Sequence, residues 1–184
     1  MLETLVKKMA TLIMLLSGQR GQTVPMLRLD CISYAMDVYT FFIPKALKQT
    51  KPGHHQEPLR FERFINKKLC VVDCLEEYLD RTKHIRENLE GNPQELFLSY
   101  AYPHKPVEKS TITRYIKSFM LEAGIDVTDY ANHSLRKAST SKANNLGLSI
   151  KDIQKAAGWK SKSIFREHYK LPIKKNMESH LLEQ

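Results

Sequence analysis

Apolar residues recur at near-helical spacing through the first stretch of the chain, at Leu2, Leu5, Met9, Leu12, Ile13, Leu15 and Leu16. Residues three and four apart share a helix face, so the spacing predicts a helix over 2–17. Gly18 is placed to end it in a left-handed cap. The period then changes. Residues 37–43 (DVYTFFI) are β-branched and aromatic, and in 57–65 (EPLRFERFI) Leu59 and Phe61 alternate with Arg60 and Glu62. Alternation of that kind suits strands. The intervening KALKQTKPGHHQ has a turn signal at Pro52-Gly53, and the whole reads as a β-hairpin with a long, basic tip.

Helical spacing returns over 69–87, with Leu69, Val72, Leu75, Leu79 and Ile85 as the expected apolar side, and Gly91-Asn92-Pro93 breaks it. Residues 96–100 (LFLSY) read as a short strand. Ser110 is expected to cap a helix over 111–123, which Gly124 ends. Asn132 or His133 opens another, ended by Gly147. Ser149, with Asp152 three residues later, resembles a capping box whose acid is shortened to Asp; that helix stops at Gly158. Ser161 is expected to cap a last helix holding Tyr169, which Pro172 ends. Residues 173–184 form a weakly amphipathic tail. No internal repeat, low-complexity tract or interdomain linker interrupts the chain. The predicted fold class is mainly α with a small antiparallel β-sheet (α+β).

With 184 residues, 42% of them apolar, the chain suits one sizeable domain rather than a disordered segment. Charge adds a partner. Lys and Arg outnumber Asp and Glu by 29 to 20, a formal charge of +9, which points to a polyanion. The cysteines, Cys31, Cys70 and Cys74, are odd in number and lack ligand spacing. Neither a disulfide framework nor a zinc site is indicated, and they are expected to act as small buried apolar residues. No metal or other cofactor is expected. The longest strongly apolar run, Met9 to Leu16, is too short to span a bilayer and lacks a cleavage site. A soluble intracellular protein with no membrane partner is the expectation.

Four short segments could carry chemistry. In HSLRKASTSKANNLG, His133 and Arg136 are i and i+3 and share a helix face. A proton-exchanging imidazole beside an obligate cation suits a reacting phosphate. Taken alone, such a pair is more often a solvated face or a cap. In LIMLLSGQRGQT, Arg20 sits between Gly18 and Gly21, where small neighbours allow close approach and the guanidinium fork matches phosphate. Lys51, before the turn in KPGHHQ, could act as a general acid; an exposed loop lysine is the bland alternative. In GWKSKSIFREHYK, Trp159 is the only tryptophan, and Tyr169 follows it. Singly, both read as packing residues.

Their order gives them meaning together. An Arg in a turn after an apolar helix, a hairpin Lys, H-x-x-R, G-W and then Tyr resembles the catalytic domain of tyrosine recombinases, the phage integrase family. The resemblance runs from about residue 5 to residue 170 and is strongest in HSLRKASTSKANNLGLSIKDIQKAAGWKSKSIFREHYK. GQRGQT is also similar to eukaryotic mobile-element recombinases of the Crypton type. The resemblance implies a tyrosine recombinase catalytic domain over 1–172, with 173–184 a C-terminal tail packing on a neighbouring subunit. It also implies that the usual N-terminal core-binding domain is absent and that the chain is a fragment.

The implied activity is site-specific DNA cleavage and rejoining through a 3′-phosphotyrosyl intermediate, for integration or transposition, without metal or ATP. Tyr169 would be the nucleophile. Arg20, His133 and Arg136 match the phosphate-binding and proton-handling positions. Trp159 stands where many members have His, and Lys51, or its rival Lys48, matches the hairpin lysine. Lys48, Lys137, Lys160 and Lys162 are the expected DNA contacts. Many members have an acid three residues after the first Arg, whereas this chain has Thr23, a departure that puts full activity in doubt. The partners implied are double-stranded DNA and a homotetramer formed on it, with a free monomer allowed. The location would be the nucleus if the chain is eukaryotic, otherwise the cytoplasm. The main alternative is a domesticated DNA-binding module without catalysis, since SIKDIQKAAGWKSKSIFREHY also reads as a helix-turn-helix. A type IB topoisomerase is disfavoured because its pattern usually has Lys where His133 stands.

Overall fold

The computed structural model describes residues 1–43 and 57–159. Helix α1 (Leu2–Ser17) leads through two short 3-10 turns into strands β1 (Ile32–Ala35), β2 (Val38–Phe41) and β3 (Leu59–Glu62). Helices α2 (Val71–Glu87), α3 (Lys109–Glu122), α4 (Asn132–Asn145) and α5 (Ile150–Ala157) follow. The predicted mainly α class with a small antiparallel sheet is what the chain forms.

Helix α1 is the central post. Its buried residues, from Leu5 and Val6 through Lys7, Met9, Ala10 and Thr11 to Met14, surround its axis rather than lining one stripe. That pattern marks a helix enclosed by neighbours, here α2, α3 and α4. The exception in charge, Lys7, is held by Glu3 at 2.7 Å and by Glu122 of α3 at 2.8 Å.

The sheet has the order β1-β2-β3, with Ile32 opposite Phe41 and Phe41 opposite Leu59. In β3 Leu59 and Phe61 are buried while Arg60 and Glu62 are exposed, as the alternation predicts. Phe61 meets Phe41 edge to face, with ring centroids 6.0 Å apart. Strand β1 has no counterpart in the sequence reading. Its two-residue loop to β2, Met36-Asp37, takes positive φ at both positions, 50° and 60°. That loop type normally announces itself as Asn-Gly, so Met-Asp concealed it. The predicted hairpin tip lies outside the described residues, as do the helix expected after Ser161 and the tail 173–184.

Four local expectations are corrected. Helix α2 begins at Val71, with Cys70 as its N-cap: the Cys70 Sγ accepts from the Asp73 N–H at 3.4 Å. Val72 and Leu75 are buried as expected, but the buried face also takes in Cys74, Tyr78, Thr82 and Arg86, and Leu69, before the helix, is 51% exposed instead of packed. Arg86 belongs inside because its guanidinium donates to the carbonyls of Glu95 and Leu96. Residues 96–100 do not form a strand. They make single bridges, the Leu96 N–H to Leu27 O and the Val107 N–H to Phe97 O. Pro106 opposite Leu98 offers no N–H to continue a ladder. Helix α3 is preceded by Glu108, so Ser110 lies inside the first turn and is not the cap.

The helix stops agree with the sequence. Gly124, Gly147 and Gly158 are all left-handed, with φ of 76°, 94° and 66°. Cys70 and Cys74 are buried as expected.

Candidate active site

Four of the sequence-predicted residues, Arg20, His133, Arg136 and Trp159, lie on three chain segments that meet: the turn after α1, helix α4, and the end of α5. Gly18 caps α1 with φ of 61°. A side chain there would put its first carbon 3.1 Å from the Thr140 Cγ2 and 3.8 Å from the Ala157 Cβ. Only glycine allows so close an approach with that backbone. Arg20 follows in the same turn, half-buried, and the Thr23 N–H closes the turn on Arg20 O at 2.8 Å.

Helix α4 opens at Asn132, whose amide donates to Thr113 O in α3 at 3.2 Å. His133 is exposed in the first turn. One turn on, Arg136 is only 2% exposed. Its guanidinium lies 4.7 Å from the centre of the Trp159 ring and its Nη2 donates to Ala157 O at 2.9 Å. Stacking over an aromatic face suits the planar cation. Trp159 is itself 7% exposed and packs with Ile153 and Ala157. Lys137 is half-buried beside Arg136.

The end of α5 accounts for its last four carbonyls in full. A helix terminus leaves four acceptors without partners inside the helix. The Trp159 N–H donates to Gln154 O and the Gly158 N–H to Lys155 O, at 3.0 and 3.3 Å. This pair defines a Schellman cap. The remaining two acceptors are met by side chains from elsewhere: Gln19 Nε2 reaches Ala156 O at 2.5 Å, and Arg136 Nη2 takes Ala157 O. One donor comes from the Arg20 turn and the other from α4. Two of the predicted residues, Arg136 and Trp159, are therefore in direct contact, His133 is one turn away, and Arg20 is seated on the same junction.

Sequence reasoning missed Gln19. It is 2% exposed, and a polar residue after a helix end gives no local sign of such burial. Thr23 proves to be fully buried, its hydroxyl donating to Gln19 Oε1 at a long 3.4 Å. An ionised acid at that position would need a partner that offers a proton. Tyr169, Lys51, Lys48, Lys160 and Lys162 lie outside the described residues. Among the described residues no helix is long and apolar enough to cross a membrane, and no group of three or more His, Cys, Asp or Glu gathers.

Solved structures share the fold. The XerH site-specific recombinase bound to difH substrate, a pre-cleavage complex, superposes with a TM-score of 0.65 at 14% identity, covering 90% of this chain and 47% of that one. The XerA recombinase gives 0.63 at 18%, covering 97% and 59%. A lambda integrase dimer bound to a COC′ core site gives 0.55 at 15%, covering 93% and 54%. The chain thus spans about half the length of the structures it resembles. No curated protein matches it. The model of the phage integrase family matches residues 2–174, nearly the whole chain, and the chain belongs to that family.

Proposed function

We propose that the chain cuts and rejoins DNA at specific sites through a transient 3′-phosphotyrosyl bond to Tyr169. The observation that carries this reading is the seat of Arg136: stacked on Trp159 and bonded to the end of α5, beside the turn that holds Arg20. Family membership and the DNA-bound relatives, XerH on its difH substrate and lambda integrase on its core site, support it.

Phosphodiester cleavage piles negative charge on the non-bridging oxygens. Two guanidiniums, with His133 and the Trp159 indole as further donors, would spread that charge. The phenol of Tyr169 is a weak nucleophile at its ordinary pKa of about 10, and positive surroundings favour its phenolate. Its oxygen attacks phosphorus as the bond to the 5′ oxygen breaks. Lys51, or Lys48, donates the proton that the departing oxygen takes up. A 5′ hydroxyl from another strand reverses the step, and the protein–DNA ester conserves the bond energy, so the route needs neither ATP nor a metal. Residues 1–172 would form the catalytic domain, and the protein would assemble as a tetramer on two DNA sites. Residues 173–184 would pack on a neighbour. Lys137, Lys160 and Lys162 would hold the DNA backbone. In a eukaryote this work belongs to the nucleus.

A second reading, DNA binding without cleavage, has one observation in its favour: Arg136 is 2% exposed and spends a donor on Ala157 O. Trapping separates the two. Incubated with duplexes randomised around a strand nick, the protein should form an adduct that survives denaturation and maps to Tyr169. Tyr169→Phe should bind the same DNA and form none. Adducts with the Phe variant reassign the nucleophile; binding without any adduct from the parent protein favours the second reading.

A further inference from the structure

We infer that Gln19 is a positioning residue of this centre, and that its amide fixes the Arg20 turn to the end of α5. The inference rests on the recombinase reading for its functional consequence, but its structural basis is independent. Both ends of the Gln19 amide are committed. Nε2 donates to Ala156 O across 137 residues of sequence, and Oε1 accepts from the Thr23 hydroxyl. The Thr23 N–H meanwhile holds Arg20 O. Arg20 is therefore bracketed: the residue before it is tied to α5, and the residue three after it both closes its turn and orients the amide.

The target of that amide matters as much as the bond. Ala156 and Ala157 are the last two residues of α5, and the second carbonyl belongs to Arg136. Trp159 leaves the helix two residues later and packs on the Arg136 guanidinium. Moving the α5 end shifts the surface against which Arg136 and Trp159 are set. The helix terminus attracts the donor electrostatically as well, since the carbonyl end carries the negative pole. Behind this junction a side-chain carbon at Gly18 would lie 3.1 Å from the Thr140 Cγ2, so the turn runs close against α4. Gln19 thus couples the turn that carries Arg20 to the helix end that holds Arg136, although it is 2% exposed to solvent itself.

Four variants test this. Gln19→Met keeps the length and removes both polar ends. Gln19→Asn keeps the amide but shortens it. Thr23→Val removes only the hydroxyl, and Thr23→Ser retains it. The readouts are adduct formation in a single turnover on saturating nicked random-sequence duplexes, dissociation constants for the same DNA, and acrylamide quenching of Trp159, the one tryptophan of the chain. Misplacement of a reacting group by about an ångström costs up to a hundredfold in rate. Gln19→Met should slow adduct formation by roughly tenfold to a hundredfold, leave DNA affinity nearly unchanged, and make Trp159 easier to quench. Thr23→Val should shift the same readouts in the same direction by less, while Thr23→Ser matches the parent and Gln19→Asn falls between Met and the parent.

Unchanged rate and quenching in Gln19→Met overturn the inference. So does a loss of rate matched by an equal loss of DNA affinity and of thermal midpoint, which marks general unfolding. If Thr23→Val and Thr23→Ser behave alike, the hydroxyl does not orient the amide and that part fails. If the parent itself forms no adduct, the recombinase reading fails instead. Quenching then decides the structural part alone: increased quenching in Gln19→Met upholds the tie to α5, and unchanged quenching removes it.

Discussion

Arg136 shows how one residue serves packing and chemistry together. Its face stacks on Trp159 and its edge reaches Ala157 O. Lysine supplies the charge without the plane, so Arg136→Lys should lose the stack and the bond geometry. Leaving a buried acceptor without its donor costs about 1–3 kcal/mol, and the urea midpoint of the variant should fall accordingly. Cys74 gives a second expectation at this scale. Burial pushes its thiol up to about 11, so it stays protonated and should resist iodoacetamide at neutral pH until the protein is unfolded. Reaction in the native state would contradict the buried placement. Arg136 and Trp159, which the structure puts in contact, stood out in the sequence by their order along the chain rather than by either residue alone. Gln19 did not, because its partner is a backbone carbonyl 137 residues away, and carbonyls leave no trace in a sequence.

Among the elements, helix ends were the most readable features. Glycine after the last turn marks a left-handed cap, and Gly18, Gly124, Gly147 and Gly158 all adopt it. At the start of α5 the Ser149 hydroxyl accepts from the Asp152 N–H at 3.1 Å, and itself donates to the Asp152 carboxylate at 2.5 Å. The shortened acid therefore grips the hydroxyl rather than the cap's own N–H. Ser149→Ala should cost about 1 kcal/mol, the usual value of a lost N-cap, seen as a lower thermal midpoint with the fold intact. Helix faces were less readable. In α2 a phenol, a hydroxyl and a guanidinium, those of Tyr78, Thr82 and Arg86, occupy buried positions outside the expected apolar side. Strand β1 was lost for a similar reason, since the loop that makes it uses residues that rarely take positive φ.

For the whole molecule, the ion pair between α1 and α3 predicts a pH dependence with two limbs. Glu122 is held below the usual carboxylate range by the Lys7 ammonium and the Ser118 hydroxyl, and Lys7 is raised by Glu122 and Glu3. Glu122 favours the folded state fully above the ordinary glutamate value of about 4.3, and that benefit disappears as pH falls through the lower folded value. Lys7 favours it fully below about 10.4, and the benefit disappears as pH rises through the higher folded value. Stability should therefore decline at both extremes, and Glu122→Gln should flatten both limbs of the urea midpoint plotted against pH. On the proposed reading, DNA affinity should fall steeply with added salt, because a basic chain that binds phosphates does so by releasing their counterions, and this one carries a formal charge of +9. An affinity insensitive to salt would argue against a backbone-binding face.

Of the described helices, the post around which the fold is built is the first to be synthesised. Its buried residues surround its axis, and the tie from Lys7 to Glu122 spans 115 residues. Until the ribosome has released α3, α1 has no cover on that side. A nascent chain arrested before that point leaves the core-facing side of α1 uncovered and invites aggregation, so production of this protein should depend on uninterrupted translation or on a chaperone that shields α1.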